Sequence, residues 1–490
     1  MKLRSWRRSW EYLPPEIRIM ILEIVANQKH PGWASLASVC REWQDVLEKF
    51  NFHKISLQVT CLDDFALFSP QARKLVRHIY FCIELPRYTY RCCCKHRSRL
   101  VDVNRIVTNG VRKLFSILSF WEPTGNLALE LNVYSPSDCE HWFKDIHLSS
   151  NNVEREGDAT PTALIDSMYF DLKHGWANGQ QLEPPPDYAV QRLFKPIRLD
   201  LRESSPQVKA VTRLIIRRQL RRCICVTSLA RMFRKLIHLK QISYEPWSSY
   251  HDPTRDIDNS GCAFGMSGLP DTVSSLIIFQ DSYRFYTSFP RRTIAAPWFN
   301  PDDPDDPDEQ TVPVFTSNSL KLQHLSISFM IPAEAFFRQC ESTWTWSHLQ
   351  SLALTSKLMR HEAEHRRAVK VFLRRAGEVA QQMPKMHTFV LWNCENSHAC
   401  AFIYRVERGT ASLTWRGTWN LKLSSLVVEP WQVVASKRQM YCSKLQLKKE
   451  QVKAAIKCPG DAIYHLKLPC QVIEPASLWQ IRREGHTRWW

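Results

Sequence analysis

Residues 349–391 read LQSLALTSKLMRHEAEHRRAVKVFLRRAGEVAQQMPKMHTFVL, and this stretch decides what kind of fold the chain builds. Leu349, Leu352 and Leu354 follow the form apolar-x-x-apolar-x-apolar, whose last two members alternate as a strand with a buried face requires. From His361 to Met383, the residues Val369, Phe372, Leu373, Ala376, Val379, Ala380 and Met383 recur at three- and four-residue steps, which predicts a long helix with one apolar face. Met386, Phe389 and Leu391 then repeat the strand form. Strand, helix and strand in succession fit a repeating array better than a sandwich or barrel.

The same form occurs at Val76/Ile79/Phe81, Leu239/Ile242/Tyr244, Val273/Leu276/Ile278, Leu322/Leu325/Ile327, Leu423/Leu426/Val428 and Ile463/Leu466/Leu468. Ahead of Leu239, the residues Leu229, Met232, Phe233 and Leu236 mark a further helix. The recurring form resembles the strand segment of a leucine-rich repeat, in which alternate side chains point into a shared core. The separations exceed the usual ~20 to 29 residues of such repeats, and the inner Asn/Cys position is matched cleanly by Cys394. The resemblance therefore implies an irregular leucine-rich-repeat-like α/β solenoid over residues 54–490. Polar, proline- or glycine-rich loops interrupt it at 151–186, 248–268 and 300–310.

The N-terminal stretch from Glu11 to Asn51 reads EYLPPEIRIMILEIVANQKHPGWASLASVCREWQDVLEKFN. Pro14 and Pro15 suit a helix start because the first-turn amides lack intrahelical partners, and Glu16 sets a negative charge at the positive end of the helix dipole. Ile17, Ile21, Leu22, Ile24 and Val25 give a first apolar stripe. Trp33, Leu36, Ala37 and Cys40 give a second, and Trp43, Val46, Leu47 and Phe50 a third. Three such short helices bury little area and favour a partner along an apolar edge.

The order Leu-Pro-x-Glu-Ile, Ile-Leu, Leu-x-x-Val-Cys-x-x-Trp resembles an F-box, the three-helix module that docks adaptors onto the Skp arm of a cullin-RING ubiquitin ligase. The match covers residues 11–53, preceded by a basic tail, residues 1–10. The chain departs from the family pattern after the first helix, where a longer loop carries Gly32-Trp33 in place of the frequent Asp-Leu. The resemblance implies that Leu13, Pro14, Ile17, Leu22, Leu36, Val39, Cys40 and Trp43 support the Skp-facing surface.

Composition sets the frame for both regions. The 490 residues are 44% hydrophobic and 23% charged, enough to bury a large core. Lys and Arg number 66 against 48 Asp and Glu, a formal charge of +18, which favours acidic partners. The 16 cysteines lack the spacing of a disulfide framework. The start MKLRSWRRSWEY has no apolar region behind its cations, and no apolar run is long enough to span a bilayer. A cytoplasmic or nuclear location without membrane association is the expectation.

Four stretches hold residue types that could carry chemistry. Arg213 to Val226, RLIIRRQLRRCICV, set on a helical wheel, places Arg213, Arg217, Arg218, Arg221 and Arg222 on one side, a possible patch for an acidic partner. Arg91 to Arg97, RCCCKHR, could give zinc Cys92, Cys94 and His96 with Cys82, yet adjacent cysteines diverge, and a basic loop is the plainer reading. Asn300 to Gln310, NPDDPDDPDEQ, lacks the glycine and carboxylate spacing of a calcium loop. His361 and His365 stand one helical turn apart without a third ligand. No nucleophile elbow, phosphate-binding glycine loop or His-Glu-x-x-His motif occurs, so neither catalytic residues nor a cofactor is expected.

Together these readings give an α+β multidomain chain, a small three-helix F-box module followed by a solenoid. They imply a non-enzymatic adaptor that docks on the Skp subunit and presents a protein substrate to the cullin-RING ligase. The alternative is a basic binding protein for nucleic acid or an acidic protein, unlinked to a ligase. Salt-sensitive nucleic-acid binding that weakens when the arginines are neutralised distinguishes it.

Overall fold

The computed structural model describes residues 10–28, 30–88, 102–144, 171–177, 180–247, 269–281, 311–395, 397–437 and 445–487. In it the fold is mixed α/β, with a twelve-stranded sheet whose strands lie side by side in the order they occur in sequence, and Trp176–Ala177 pairing with Gln180–Gln181 as a separate two-stranded ribbon. They are β1 (Lys54–Gln58), β2 (His78–Glu84), β3 (Leu127–Tyr134), β4 (Val211–Ile216), β5 (Gln241–Tyr244) and β6 (Ser275–Phe279). The second half comprises β7 (His324–Ser328), β8 (Ser351–Thr355), β9 (Thr388–Glu395), β10 (His398–Glu407), β11 (Thr410–Gly417) and β12 (Gln446–Gln451). Neighbours from β1 to β9 are parallel. Then β9, β10 and β11 turn back as an antiparallel meander, and β12 runs parallel to β11. The sheet stays open.

The apolar form fixes the register. Ile79, Leu129, Leu214, Ile242, Leu276, Leu325, Leu352 and Phe389 pair in an unbroken row across eight strands. Two residues on, Ile216, Tyr244, Ile278, Ile327, Leu354 and Leu391 form a second row. A one-residue slip would turn every member of a row to the opposite face, so the pattern holds each strand in place. The first apolar residue of each form, such as Val76, Leu239, Leu322 or Met386, enters the core just before its strand.

The N-terminal residues fold as α1 (Pro15–Gln28), a 3-10 turn at Trp33–Ser38 and α2 (Arg41–His53). Pro15 occupies the first helical position, and Pro14 O accepts from the amides of Ile17 and Arg18. The last residue of α2 is followed at once by β1, so the small module leads straight into the sheet.

Helical crossovers connect the parallel strands: α3 (Leu62–Ala66) and α4 (Pro70–Leu75), then α5 (Val103–Leu118), α6 (Asp187–Phe194), α7 (Val226–Lys235), α8 (Thr311–Asn318), α9 (Ala333–Gln339) and α10 (Arg366–Ala380). After the meander comes α11 (Ser425–Ser436). Apolar residues of α3, α5 and α7 to α11 share one core with the two strand rows, so these helices cover one face of the sheet. The opposite face over β6 to β10 is covered by α12 (Pro459–Leu466) and α13 (Pro475–Thr487), through Ile463, Leu466 and Ile481 against Phe279, Ala353, Val390, Trp392 and Ile403. Strands buried on both sides, such as β8 and β9, therefore show no polar alternation.

Three expectations are corrected. Residues 213–226 are not a helix: Val211 to Ile216 is β4, and Arg217 to Cys225 is the loop after it. A short apolar run satisfies helical and strand spacing alike, and pairing with β3 and β5 decides between them. Leu423/Leu426/Val428 and Ile463/Leu466/Leu468 are not strands: Leu426 and Val428 lie in α11 and Ile463 and Leu466 in α12, with Leu423 just before the one and Leu468 just after the other. Pro459 at the first turn of α12 cannot donate to a strand ladder. By contrast the helix read from His361 to Met383 is a 3-10 turn at Ala363–His365 followed by α10, and all seven residues of its apolar face are buried. The stretches 91–97, 151–170, 248–268 and 300–310 lie outside the described residues.

Candidate functional site

Helix α1 is apolar on two sides, and the module closes only one of them. Leu22 and Ala26 pack with Leu47 of α2, edged by Trp10, Trp33, Leu36 and Trp43. The rings of Trp10 and Trp43 lie 5.3 Å apart. Glu42 ties the ends of the module together, accepting from Trp10 Nε1 at 3.1 Å and pairing with Arg18 at 3.1 Å. On the far side Ile17, Met20 and Ile24 are 41%, 54% and 54% exposed. At 100° per residue these three fall within about 60° of one another and opposite Leu22 and Ala26. Leu13 and Val39 add to the exposed apolar surface at either end of the module. A contiguous apolar patch on a small polar-rimmed unit marks an interaction surface.

The residues named from the F-box resemblance divide into two groups. Leu22 is buried in the small core, and Leu36 and Trp43 pack against it half-buried. Leu13, Pro14, Ile17, Val39 and Cys40 are exposed. Met20 was missed because the family motif does not mark it, and Ile24, read as part of the first apolar stripe, is exposed on the side away from Leu22.

The arginines after β4 are internal. Arg217, Arg218, Arg221 and Arg222 are all buried, and each meets a carboxylate. Arg217 Nε donates to Glu130 of β3 at 2.5 Å, and His78 Nε2 lies 2.8 Å from the other Glu130 oxygen. Burial by itself raises the Glu130 carboxyl, but the His78 hydrogen bond and the Arg217 charge hold it below the usual carboxylate range. Arg222 grips Asp138 in bidentate fashion at 2.5 and 2.8 Å, and Asp138 also accepts from Ser135 N and Tyr88 Oη. Arg218 bridges Asp281 at 2.5 Å and Glu484 at 2.9 Å, and Arg221 reaches the second Glu484 oxygen at 2.7 Å. The Trp247 ring lies against both guanidinium groups, 4.8 and 4.4 Å from its centroid. Half-buried Arg213 pairs with Glu474 at 2.5 Å.

This geometry removes the acidic-partner patch from the surface. The positive charge of Arg217 to Arg222 is neutralised inside the fold by Glu130 of β3, Asp138 in the turn after β3, Asp281 just after β6 and Glu484 of α13. The acids carried no sequence signal: Glu130 alternates with Leu129 and Leu131 as a solvent-facing strand residue would, yet it is 2% exposed. Glu474 and Glu484 also dock the C-terminal segment onto the sheet face opposite the crossover helices.

Among the described residues no group of His, Cys, Asp and Glu is arranged to hold a metal ion, and the cysteines are free thiols. Cys82 accepts from Tyr80 Oη and Asn132 Nδ2, and burial pushes its thiol up to about 11. His361 stacks on His398 at 4.1 Å, whereas His365 sits beside Glu364. Trp346, Trp415, Trp419 and Trp431 are core residues, and Trp344 is half-buried. No described helix is long and apolar enough to cross a membrane. Residues 268–474, which run from the strand before β7 to the start of α13, match a family of unknown function (DUF6546). No curated protein matches the chain.

Proposed function

We propose that the protein is a substrate-recognition adaptor of a Skp-cullin-F-box ubiquitin ligase, with α1, the following turn and α2 as the docking module. The observation that carries this reading is the exposed stripe Ile17, Met20 and Ile24, with Leu13 and Val39 beside it, on a helix whose opposite side is already closed by Leu22 and Ala26. A partner helix laid on that stripe would bury apolar area at about 25 cal/mol per Å². The sheet would act as an irregular leucine-rich-repeat-like body, supported by the row of aligned apolar residues from Ile79 to Phe389. Its task is to hold a protein substrate, and the chemistry belongs to other subunits, so the chain contributes proximity and orientation.

Co-purification with the Skp subunit tests this. The wild type retains Skp, Leu13→Ala/Pro14→Ala weakens retention, and Ile17→Asp/Met20→Asp abolishes it. A wild type that retains no Skp removes the adaptor reading. The alternative, a binding protein for nucleic acid or an acidic protein, loses the arginine patch it rested on and keeps only the overall excess of positive charge.

A further inference from the structure

Between α9 and α10 an open groove of about 710 Å³ lies on the outer side of the crossover helices. Its floor is apolar, formed by Phe337, Leu358, Ala368 and Phe372. Val371 lines it with 54% of its surface exposed, on a helix whose larger apolar residues Val369, Phe372, Leu373 and Val379 are buried. Arg338, Arg367 and Arg375 rim the groove. Arg338 and Arg367 are exposed and have no ion-pair partner among the described residues, whereas Arg375 stands 3.7 Å from Glu378. Two acids also line it. Glu364 is exposed beside His365, and Glu334 is turned inward, one carboxyl oxygen accepting from Lys357 N at 3.0 Å. Arginines that pair with acids almost everywhere in the buried network are here left open around an apolar floor.

We propose that this groove binds an acidic peptide segment of a partner protein, in which aspartate or glutamate residues flank a leucine or phenylalanine anchor. The anchor fills the space over Phe337 and Phe372, displacing water from Val371, and the flanking carboxylates take the forked donors of Arg338 and Arg367. This inference goes beyond the adaptor reading and does not rest on it, because binding is measured without any ligase subunit.

The test is fluorescence anisotropy on the full chain with a short fluorescein-labelled peptide, rich in Glu and Asp around a central Leu-x-x-Phe, and a control peptide with Lys at each acidic position. The acidic peptide binds, weakens as salt rises, and binds at least tenfold less tightly to Arg338→Glu/Arg367→Glu and to Val371→Asp. The charge-matched Arg105→Glu/Arg234→Glu, at exposed sites on α5 and α7, binds like wild type. Circular dichroism confirms that each variant is folded, and Val371→Ser replaces Val371→Asp should the aspartate prevent folding. The proposal is overturned by no binding, by equal binding of the lysine peptide, or by an equal loss in the charge-matched control. A concentration-dependent dimer that Val371→Asp dissolves would assign the groove to a second copy of the chain and overturn it too.

Discussion

Glu484, near the C-terminal end of α13, accepts a 2.7 Å hydrogen bond from Arg221, a residue 263 positions earlier in the loop after β4. Its second oxygen accepts from Arg218, so one carboxylate neutralises two buried guanidinium groups. The contact fastens the last helix to the middle of the sheet, and its energetics make that fastening sensitive to single changes.

Replacing Glu484 with alanine removes the carboxylate that buried Arg221 and Arg218 share. Removing one partner of a buried ion pair costs about 3 to 5 kcal/mol, far more than the pair itself contributes. Urea unfolding followed by tryptophan fluorescence should show that loss for Glu484→Ala. Glu407→Ala, which breaks an exposed pair with Arg405, should change stability by less than about 1 kcal/mol.

Glu245 gives the same region a pH dependence. Its two carboxyl oxygens accept the amides of Arg218 at 3.0 Å and Glu474 at 2.8 Å. Burial, aided by the Glu474 charge, pushes the carboxyl from the ordinary 4.5 up to about 7. A folded pKa above the unfolded one means that the native state holds the proton more tightly. The contribution is complete below pH 4.5 and is lost as pH rises through 7. The stability of the wild type minus that of Glu245→Gln should therefore fall between these limits, by a span on the order of 3 kcal/mol. The glutamine amide adds a pH-independent offset, so the slope is the measurement, and a flat difference contradicts the shift.

Within the N-terminal module, folding and docking should separate by residue. Leu22→Ala opens the small core and costs about 2 to 5 kcal/mol, read as faster amide hydrogen exchange across α1 and α2. Ile17→Ala removes only exposed surface and should leave exchange unchanged within about 0.5 kcal/mol while weakening retention of Skp. Loss of exchange protection in Ile17→Ala would place that side chain in the core.

Gly377 tests the contact between α10 and α11. A Cβ at this position would stand 2.8 Å from Trp431 Nε1 and 2.9 Å from Pro430 Cβ. Trp431 is fixed there, its indole N–H donating to Leu373 O at 3.2 Å. Alanine ordinarily improves a helix interior by roughly 0.5 to 1 kcal/mol over glycine. Here overpacking should outweigh that gain, so Gly377→Ala lowers stability by about 1 to 3 kcal/mol in chemical denaturation.

By itself the sequence determined six of the strands and two of the crossover helices, α7 and α10. The form at Val76, Leu239, Val273, Leu322, Leu349 and Met386 repeats a local rule, alternate side chains into one core, and local rules are written in neighbouring residues. The apolar stripes of the N-terminal module were legible for the same reason. Only the tertiary structure decided the rest. Whether VTRLII is strand or helix depends on β3 and β5 standing beside it, and Glu130 becomes an internal partner only because the loop after β4 folds over it. Residues of α12 and α13, spaced for either element, become helices seated on the far face of the sheet. Glu474 and Glu484 then meet arginines 261 to 266 positions earlier. Charges carry no periodicity that names a distant partner, so a run of arginines reads the same in sequence whether water or buried carboxylates surround it.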